Sequence, residues 1–293
     1  METIFQKEDE IPNAPSIGII LKEAVRRALL AIRQEKITFQ ATVKEGYSGN
    51  MDDVFTSADK KAQEVYLRTI KECFPNAGVL AEEDYLRIDC KLPSGKSLYF
   101  TIDPLDGTKA FVRKQSHGVG SMIAMVYEGE VISAYIGDVN TLEIFGYRPN
   151  SEKVHRIAEF EASENLSKTI INPLLAEQYI LLREFSGHSE LALKTINHMK
   201  DVSVDGGSIG TWFARLWKRE SGALLISPGK ETPWDSTPII GISQKLGYYF
   251  YKPNKVGTAW ERYTPVLPTK IIDRDHDTLV VHRSSDFPVV LFV

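Results

Sequence analysis

The chain has 293 residues, of which 43% are hydrophobic and 25% charged, and its 35 basic and 39 acidic side chains leave a net charge of −4. These proportions imply a soluble globular protein and argue against non-specific nucleic-acid binding. No apolar run approaches the roughly 20 residues of a membrane helix, the stretch Met1 to Glu10 is too acidic for a secretory signal, and Cys73 and Cys90 lie at no metal or redox spacing, so a cytoplasmic protein is expected.

Residues 1–14 form a polar lead-in. Pro15 opens a helix, in which Ile17, Ile20, Leu21, Ala24, Ala28 and Ile32 recur at helical spacing with Lys22, Glu23, Arg26 and Arg27 opposite. A loop rich in Gly, Ser and Asn covers Gly46 to Asp52. The segment Asp53 to Asp59 leads into a second helix, with Ala58, Ala62, Val65, Tyr66, Thr69, Ile70 and Cys73 on one face. Thr56 or Ser57 caps it. Asp59 lies in the first turn, where the helix dipole favours an anion. Pro75 to Gly78 end the helix, and Val79-Leu80-Ala81 reads as a strand running into Glu82-Glu83-Asp84.

Leu98 to Ile102 is apolar, β-branched and aromatic, the pattern of a buried strand. It breaks at Asp103-Pro104-Leu105-Asp106-Gly107, a run of turn formers. Two carboxylates at the end of a buried strand repel each other, and drying them costs several kcal/mol per charge unless something positive compensates. A divalent cation such as Mg²⁺, which prefers carboxylate and carbonyl oxygens, would compensate. Gly107 and Thr108 present backbone N–H groups where a turn or helix starts, which suits a phosphate. A solvated acidic turn is the alternative reading of these residues alone. Gly118 to Tyr127 and Val131 to Val139 form a hairpin turned by Glu128-Gly129-Glu130, followed by a strand from Leu142 to Tyr147. The polar stretch Pro149 to Glu164 separates an N-terminal α+β unit, residues 1–155, from a C-terminal α/β unit, residues 156–293.

The second half alternates strands and helices. Thr169-Ile170-Ile171 is a short strand, Ser189 to Met199 a helix, and Val202-Ser203-Val204 a strand. The glycine-rich loop Gly206 to Thr211 enters a helix bearing Trp212, Phe213, Leu216 and Trp217. Such a loop can hold an anion, so Ser208, Gly210 and Thr211 are candidate substrate-binding residues. The two tryptophans read as core. Ala223 to Ile226 is a strand. Pro233 to Pro238 opens a helix running from Ile239 to Leu246, with Asp235 as its N-cap and Pro238 in its first turn. Tyr248 to Tyr251 and Thr278 to Val281 are the last strands, and the six histidines show no ligand spacing.

In order and interval, Asp59, Glu82-Glu83, Asp103-Pro-Leu-Asp-Gly-Thr108 and Trp234-Asp235 resemble the motifs of the inositol monophosphatase superfamily of Mg²⁺-dependent phosphomonoesterases. The resemblance runs from about Asp53 to Gly247. It implies a layered α/β fold, an alternating α/β/α/β/α sandwich, with two or three Mg²⁺ per site. Position by position, it makes Glu82, Asp103, the Leu105 carbonyl, Asp106 and Asp235 metal ligands. It gives Thr108, paired with Asp59, the task of orienting the attacking water, while Asp59 also helps to hold a third metal. The N–H groups of Gly107 and Thr108 become the phosphate cradle. Glu82, Asp59 and Thr108 are then the catalytic residues, and a metal-activated water attacks phosphorus in line with no covalent phosphoenzyme. Lys109 after the signature resembles the 3'(2'),5'-bisphosphate nucleotidase branch most, with departures at Ala110 and Ser227. Inositol-1-monophosphatase, histidinol-phosphate phosphatase, fructose-1,6-bisphosphate phosphatase and a non-catalytic metal- or phosphate-binding member are the alternatives. The partner implied is a small phosphorylated molecule, not a nucleic-acid polymer or a membrane, with a homodimer as one possible assembly.

Overall fold

The computed structural model describes residues 5–44, 53–158, 162–168 and 172–286. The expected loop Gly46 to Asp52 and the expected strand Thr169-Ile170-Ile171 lie outside them. The chain opens with helix α1 (Ala14–Glu35), strands β1 (Ala41–Lys44) and β2 (Asp53–Thr56), and helix α2 (Ser57–Cys73). Asn13 caps α1 through Ser16 N–H, and Ile17, Leu21, Ala24, Ala28 and Ile32 are buried as their spacing predicts. α2 begins with a reciprocal capping box between Thr56 and Asp59.

A large sheet follows. Its strands are β3 (Gly78–Ala81), β4 (Arg87–Ile88), β5 (Leu98–Asp106), β6 (Gly120–Tyr127), β7 (Glu130–Asp138), β8 (Ile144–Tyr147), β9 (His155–Ile157) and β10 (Ser163–Asn165), with a short helix, α3 (Thr108–Val112), after β5. The order is β10-β9-β8-β7-β6-β5-β3-β4; β3 and β5 are parallel, and the pairs from β5 to β10 are antiparallel. The expected division at 155/156 falls inside β9, because β9 and β10 extend this sheet to Asn165.

The remaining elements are β11 (Tyr179–Leu182), α4 (Glu190–His198), β12 (Asp201–Val204), α5 (Ile209–Trp217), β13 (Ala223–Ile226), β14 (Gly229–Glu231), α6 (Pro233–Lys245), β15 (Tyr248–Pro253), β16 (Trp260–Tyr263), β17 (Ile272–Arg274) and β18 (Thr278–His282). The second sheet runs β12-β11-β13-β18-β15-β16, with β12, β11 and β13 parallel.

Alternation along the strands produces five layers. Phe100, Ile102, Ile123 and Met125 pack on α1 and α2, while Met122, Ala124, Ala134 and Ile136 face the opposite way, onto α5 and α6. Leu181, Leu224 and Val280 of the second sheet close on α5 and α6 from the other side. Ile180, Leu182, Leu225 and Leu279 pack on α4. The architecture is therefore α/β/α/β/α. Trp217 is fully buried between the sheets and donates Nε1–H to Ser243 Oγ at 3.1 Å, so it belongs to the core.

Two local expectations change. α6 starts at Pro233, capped by the Thr232 hydroxyl, which accepts from Asp235 N–H at 3.1 Å. Asp235 thus stands inside the first turn rather than at the cap, and its carboxylate is left for other partners. Pro238 lies within the helix, beyond the first turn. Among the described residues, no helix is long and apolar enough to cross a membrane.

Candidate active site

The site begins with an irregularity in β5. The strand does not stop at Ile102 but continues to Asp106. Asp103 pairs with Met122 and Asp106 with Gly120, so β5 uses three steps where β6 uses two. Side chains three apart on a regular strand point to opposite faces. One inserted residue brings Asp103 and Asp106 to the same side. Pro104 suits such a bulge, because it has no N–H to offer the ladder.

The first turn of α6 brings Asp235 to them. Carboxylate oxygens of Asp103, Asp106 and Asp235 lie within 4.8 Å of one another. Glu82, at the end of β3, donates its N–H to Ile102 O at 3.2 Å and lines the same cavity. Leu105, Gly107 and Thr108 line it too, and Thr108 Oγ1 lies 3.0 Å from the Leu105 carbonyl oxygen and 3.2 Å from Asp59 Oδ1, two acceptors for its single proton.

Asp59 takes both of its expected positions at once. It is fully buried. Oδ2 accepts from Thr56 N–H at 2.8 Å and from the Thr56 hydroxyl, completing the cap. Oδ1 accepts from Thr108 Oγ1 at 3.2 Å.

The electrostatics are those of an uncompensated anion cluster. Burial, and then the charges of Glu82, Asp106 and Asp235, push the Asp103 carboxyl well above the usual carboxylate range. Burial and the charge of Asp235 raise Asp106 to about 7, against hydrogen bonds that lower it. Asp103 Oδ1 is buried with no hydrogen-bond partner. Hard oxygen donors, crowded together with one buried oxygen orphaned, fit a divalent cation.

Ser208, Gly210 and Thr211 lie elsewhere than the sequence suggests. Ser208 Oγ, Ile209 N–H (3.1 Å) and Gly210 N–H (2.8 Å) all donate to the Asp106 carboxylate. Ser208 also caps α5 by accepting from Thr211 N–H at 3.0 Å. These residues turn inward and hold Asp106 at the positive end of a helix; they do not line the cavity. The glycines of the loop serve close backbone approach. Gly207 has φ +95°, and a Cβ there would stand 2.4 Å from Gly118 O. Gly107, at φ +88°, would place a Cβ 2.3 Å from the same oxygen. Ser208 N–H donates to that oxygen at 2.8 Å, so the second half of the chain is seated directly on the carboxylate turn of the first. Gly207→Ala is expected to cost more than about 2 kcal/mol, from αL strain and the clash together. Urea unfolding measures the loss, and a change under about 0.5 kcal/mol would contradict the seating.

The cavity has a volume of about 770 Å³. Beyond the carboxylates it is lined by Lys109, Arg113 and Arg183, which the motifs did not single out as ligand-facing. Arg183 follows β11, a Tyr-Ile-Leu-Leu run that alone could have marked a strand end.

The family model described as inositol monophosphatase family matches residues 16–277. A histidinol-phosphatase of Chlorobaculum parvum is 27% identical over 215 residues, 69% of this chain and 73% of that protein. The crystal structure of inositol monophosphatase II from Staphylococcus aureus has a TM-score of 0.64 at 17% identity, covering 92% of this chain and 90% of that one. A structure of an IMPase/NADP phosphatase complexed with Mg²⁺ and phosphate has a TM-score of 0.62 at 18% identity, covering 93% and 92%. At these identities the solved structures share the fold.

Proposed function

The chain belongs to the inositol monophosphatase family of phosphomonoesterases, and from that premise we propose that it is a Mg²⁺-dependent hydrolase acting on a 3'(2'),5'-bisphosphate nucleotide. The observation that carries the metal dependence is the buried, unpartnered Asp103 Oδ1 inside the carboxylate cluster. Asp103, Asp106, Asp235, Glu82 and the Leu105 carbonyl would hold the cations. Bound Mg²⁺ would neutralise the phosphate dianion and acidify the attacking water.

The protein's own share is positioning. With the Leu105 carbonyl turned to a cation, the Thr108 hydroxyl would donate its one hydrogen bond to Asp59 Oδ1. Its oxygen lone pairs then accept from the attacking water and aim it at phosphorus. Asp59 fixes the rotamer of Thr108 and is itself fixed by the capping box, so the water is aimed from a rigid helix start. The N–H groups of Gly107 and Thr108, at the start of α3, would receive phosphate oxygens. Lys109 after the signature supports the bisphosphate nucleotide. Histidinol phosphate is the second reading, favoured by the alignment with the Chlorobaculum protein.

Phosphate release separates the readings. The substrates are 3'-phosphoadenosine 5'-phosphate, inositol 1-phosphate, histidinol phosphate and fructose 1,6-bisphosphate, each with Mg²⁺ and with EDTA. The expected result is the highest kcat/KM on the first and no release in EDTA. A highest value on histidinol phosphate selects the second reading, and release that survives EDTA contradicts both.

A further inference from the structure

We propose that Lys109, Arg113 and Arg183 form a cationic wall of the active-site cavity that binds a second anionic group of the substrate, remote from the ester being cleaved. The inference rests on the phosphatase reading for its orientation, since it takes the carboxylate floor as the reacting end.

The cavity, at about 770 Å³, is of the size that encloses a whole small-molecule ligand rather than a single phosphate. Its cations divide into two groups. Arg274 is committed to Glu231 at 2.8 Å and to the carbonyls of Ser227 and His276. Lys230 is committed to Asp273 at 2.6 Å. The side chains of Lys109, Arg113 and Arg183 line the same space without an ion pair or hydrogen bond to any described residue.

Three uncommitted cations close to an acidic floor need a reason. If they served to neutralise that floor they would pair with it, and they do not. Lys109 lies in α3 and Arg113, its C-cap residue in helical conformation, follows four positions on, so the two share one side immediately after the carboxylate turn. Arg183 comes from the other sheet. It follows β11, the middle one of the three parallel strands β12-β11-β13, and Gly206-Gly207 and Ser227 line the cavity beyond β12 and β13. Ligands bind at such carboxyl ends in open α/β sheets.

The wall also holds one carboxylate, Glu184. Three cations against one anion leave net positive charge. A phosphate monoester with a second phosphate is favoured, and one whose other end is an ammonium is disfavoured. Arginine forks and a lysine point charge both suit phosphate oxygens.

The test compares the wild type with the combined variant Lys109→Gln, Arg113→Gln, Arg183→Gln. These side chains are exposed, so thermal unfolding should be unaltered. The substrates are 3'-phosphoadenosine 5'-phosphate and adenosine 3'-phosphate, which share the scissile ester and differ in the second phosphate. In the wild type, kcat/KM should favour the bisphosphate by about tenfold or more, the scale of one charge-assisted hydrogen bond. In the variant the ratio should collapse toward one, mainly through KM. A second readout is independent of turnover. Adenosine 5'-phosphate, titrated into the metal-free protein in EDTA, where the acidic floor repels phosphate, should bind at least about tenfold more weakly to the variant. A ratio that survives the substitutions, or unchanged adenosine 5'-phosphate binding, overturns the inference. If the wild type cleaves neither ester, the bisphosphate-nucleotide reading has failed and the binding comparison alone decides the wall.

Discussion

Asp103→Asn is expected to abolish catalysis while making the metal-free protein more stable. Asp103 is 2% exposed, faces Glu82, Asp106 and Asp235, and has one oxygen with no partner. An amide keeps its shape and removes the charge that repels the others. Turnover should fall by about 10³-fold or more, beyond the loss of a single oxyanion donor. In EDTA the melting temperature should rise by roughly 2–4 °C for each kcal/mol of repulsion relieved.

The pH dependence has a definite sign. Burial and neighbouring charge raise the Asp103 carboxyl and bring Asp106 to about 7, above the unfolded value. A carboxyl raised by folding contributes stability that is complete below its unfolded pKa and lost as pH rises through the folded one. The metal-free wild type should therefore lose stability from about pH 4 to beyond pH 7, and the advantage of Asp103→Asn should widen over that range. A variant that melts well below the wild type in EDTA at pH 8 would make Asp103 a structural residue. Asp106→Asn is the less clean version of this experiment. It relieves repulsion but weakens an anchor built from Ser208 Oγ, Ile209 N–H and Gly210 N–H.

The second large effect belongs to Thr108 and Asp59. Thr108→Ala or Asp59→Asn should each lower kcat by about 10²–10⁴-fold, the range of general acid–base assistance, with KM changing less. The geometry explains why Asn fails at a position that also caps a helix. The capping box needs an acceptor toward Thr56 N–H, which sets the amide oxygen there. The amide NH₂ then faces Thr108 Oγ1 and donates where the carboxylate accepted, so the hydroxyl turns the wrong way. An amide oxygen still accepts from Thr56 N–H and keeps the capping box, so stability should change by less than about 1 kcal/mol, the scale of one charge near a helix start. Groups acting as one unit are not additive, and the double variant should be little worse than the poorer single one. Near-normal kcat in Asp59→Asn would leave Asp59 only its cap.

Periodicity made α1 and α2 legible, and Thr56-x-x-Asp59 made the start of α2 legible. Apolar runs rich in β-branched and aromatic residues gave most strands of the first sheet. What escaped depends on partners far along the chain. The run Asp103-Pro-Leu-Asp106 reads as a turn because its residues are turn formers, yet pairing with β6 keeps it extended and turns it into a bulge. Gly206 to Ser208 reads as an anion loop; its use is set by Gly118 and Asp106, which no local pattern reveals. Asp235 reads as an N-cap because it is a good one, and Thr232 takes the role three residues earlier. Strands β9 and β10 lie in a polar stretch whose pattern does not mark them as strands. Arg183 stands outside every motif and reaches the cavity only through the order of the second sheet.

Isothermal titration of Mg²⁺ into the metal-free wild type and Asp103→Asn, near pH 6.5 in buffers of different ionisation heat, tests the carboxylate cluster as a divalent-cation site most directly. The wild type should bind with release of protons, because cations displace protons from carboxyls whose pKa values lie near or above the working pH, and the variant should lose that binding. Absence of Mg²⁺ binding by the wild type, or equal binding without proton release in both proteins, would contradict the cation site.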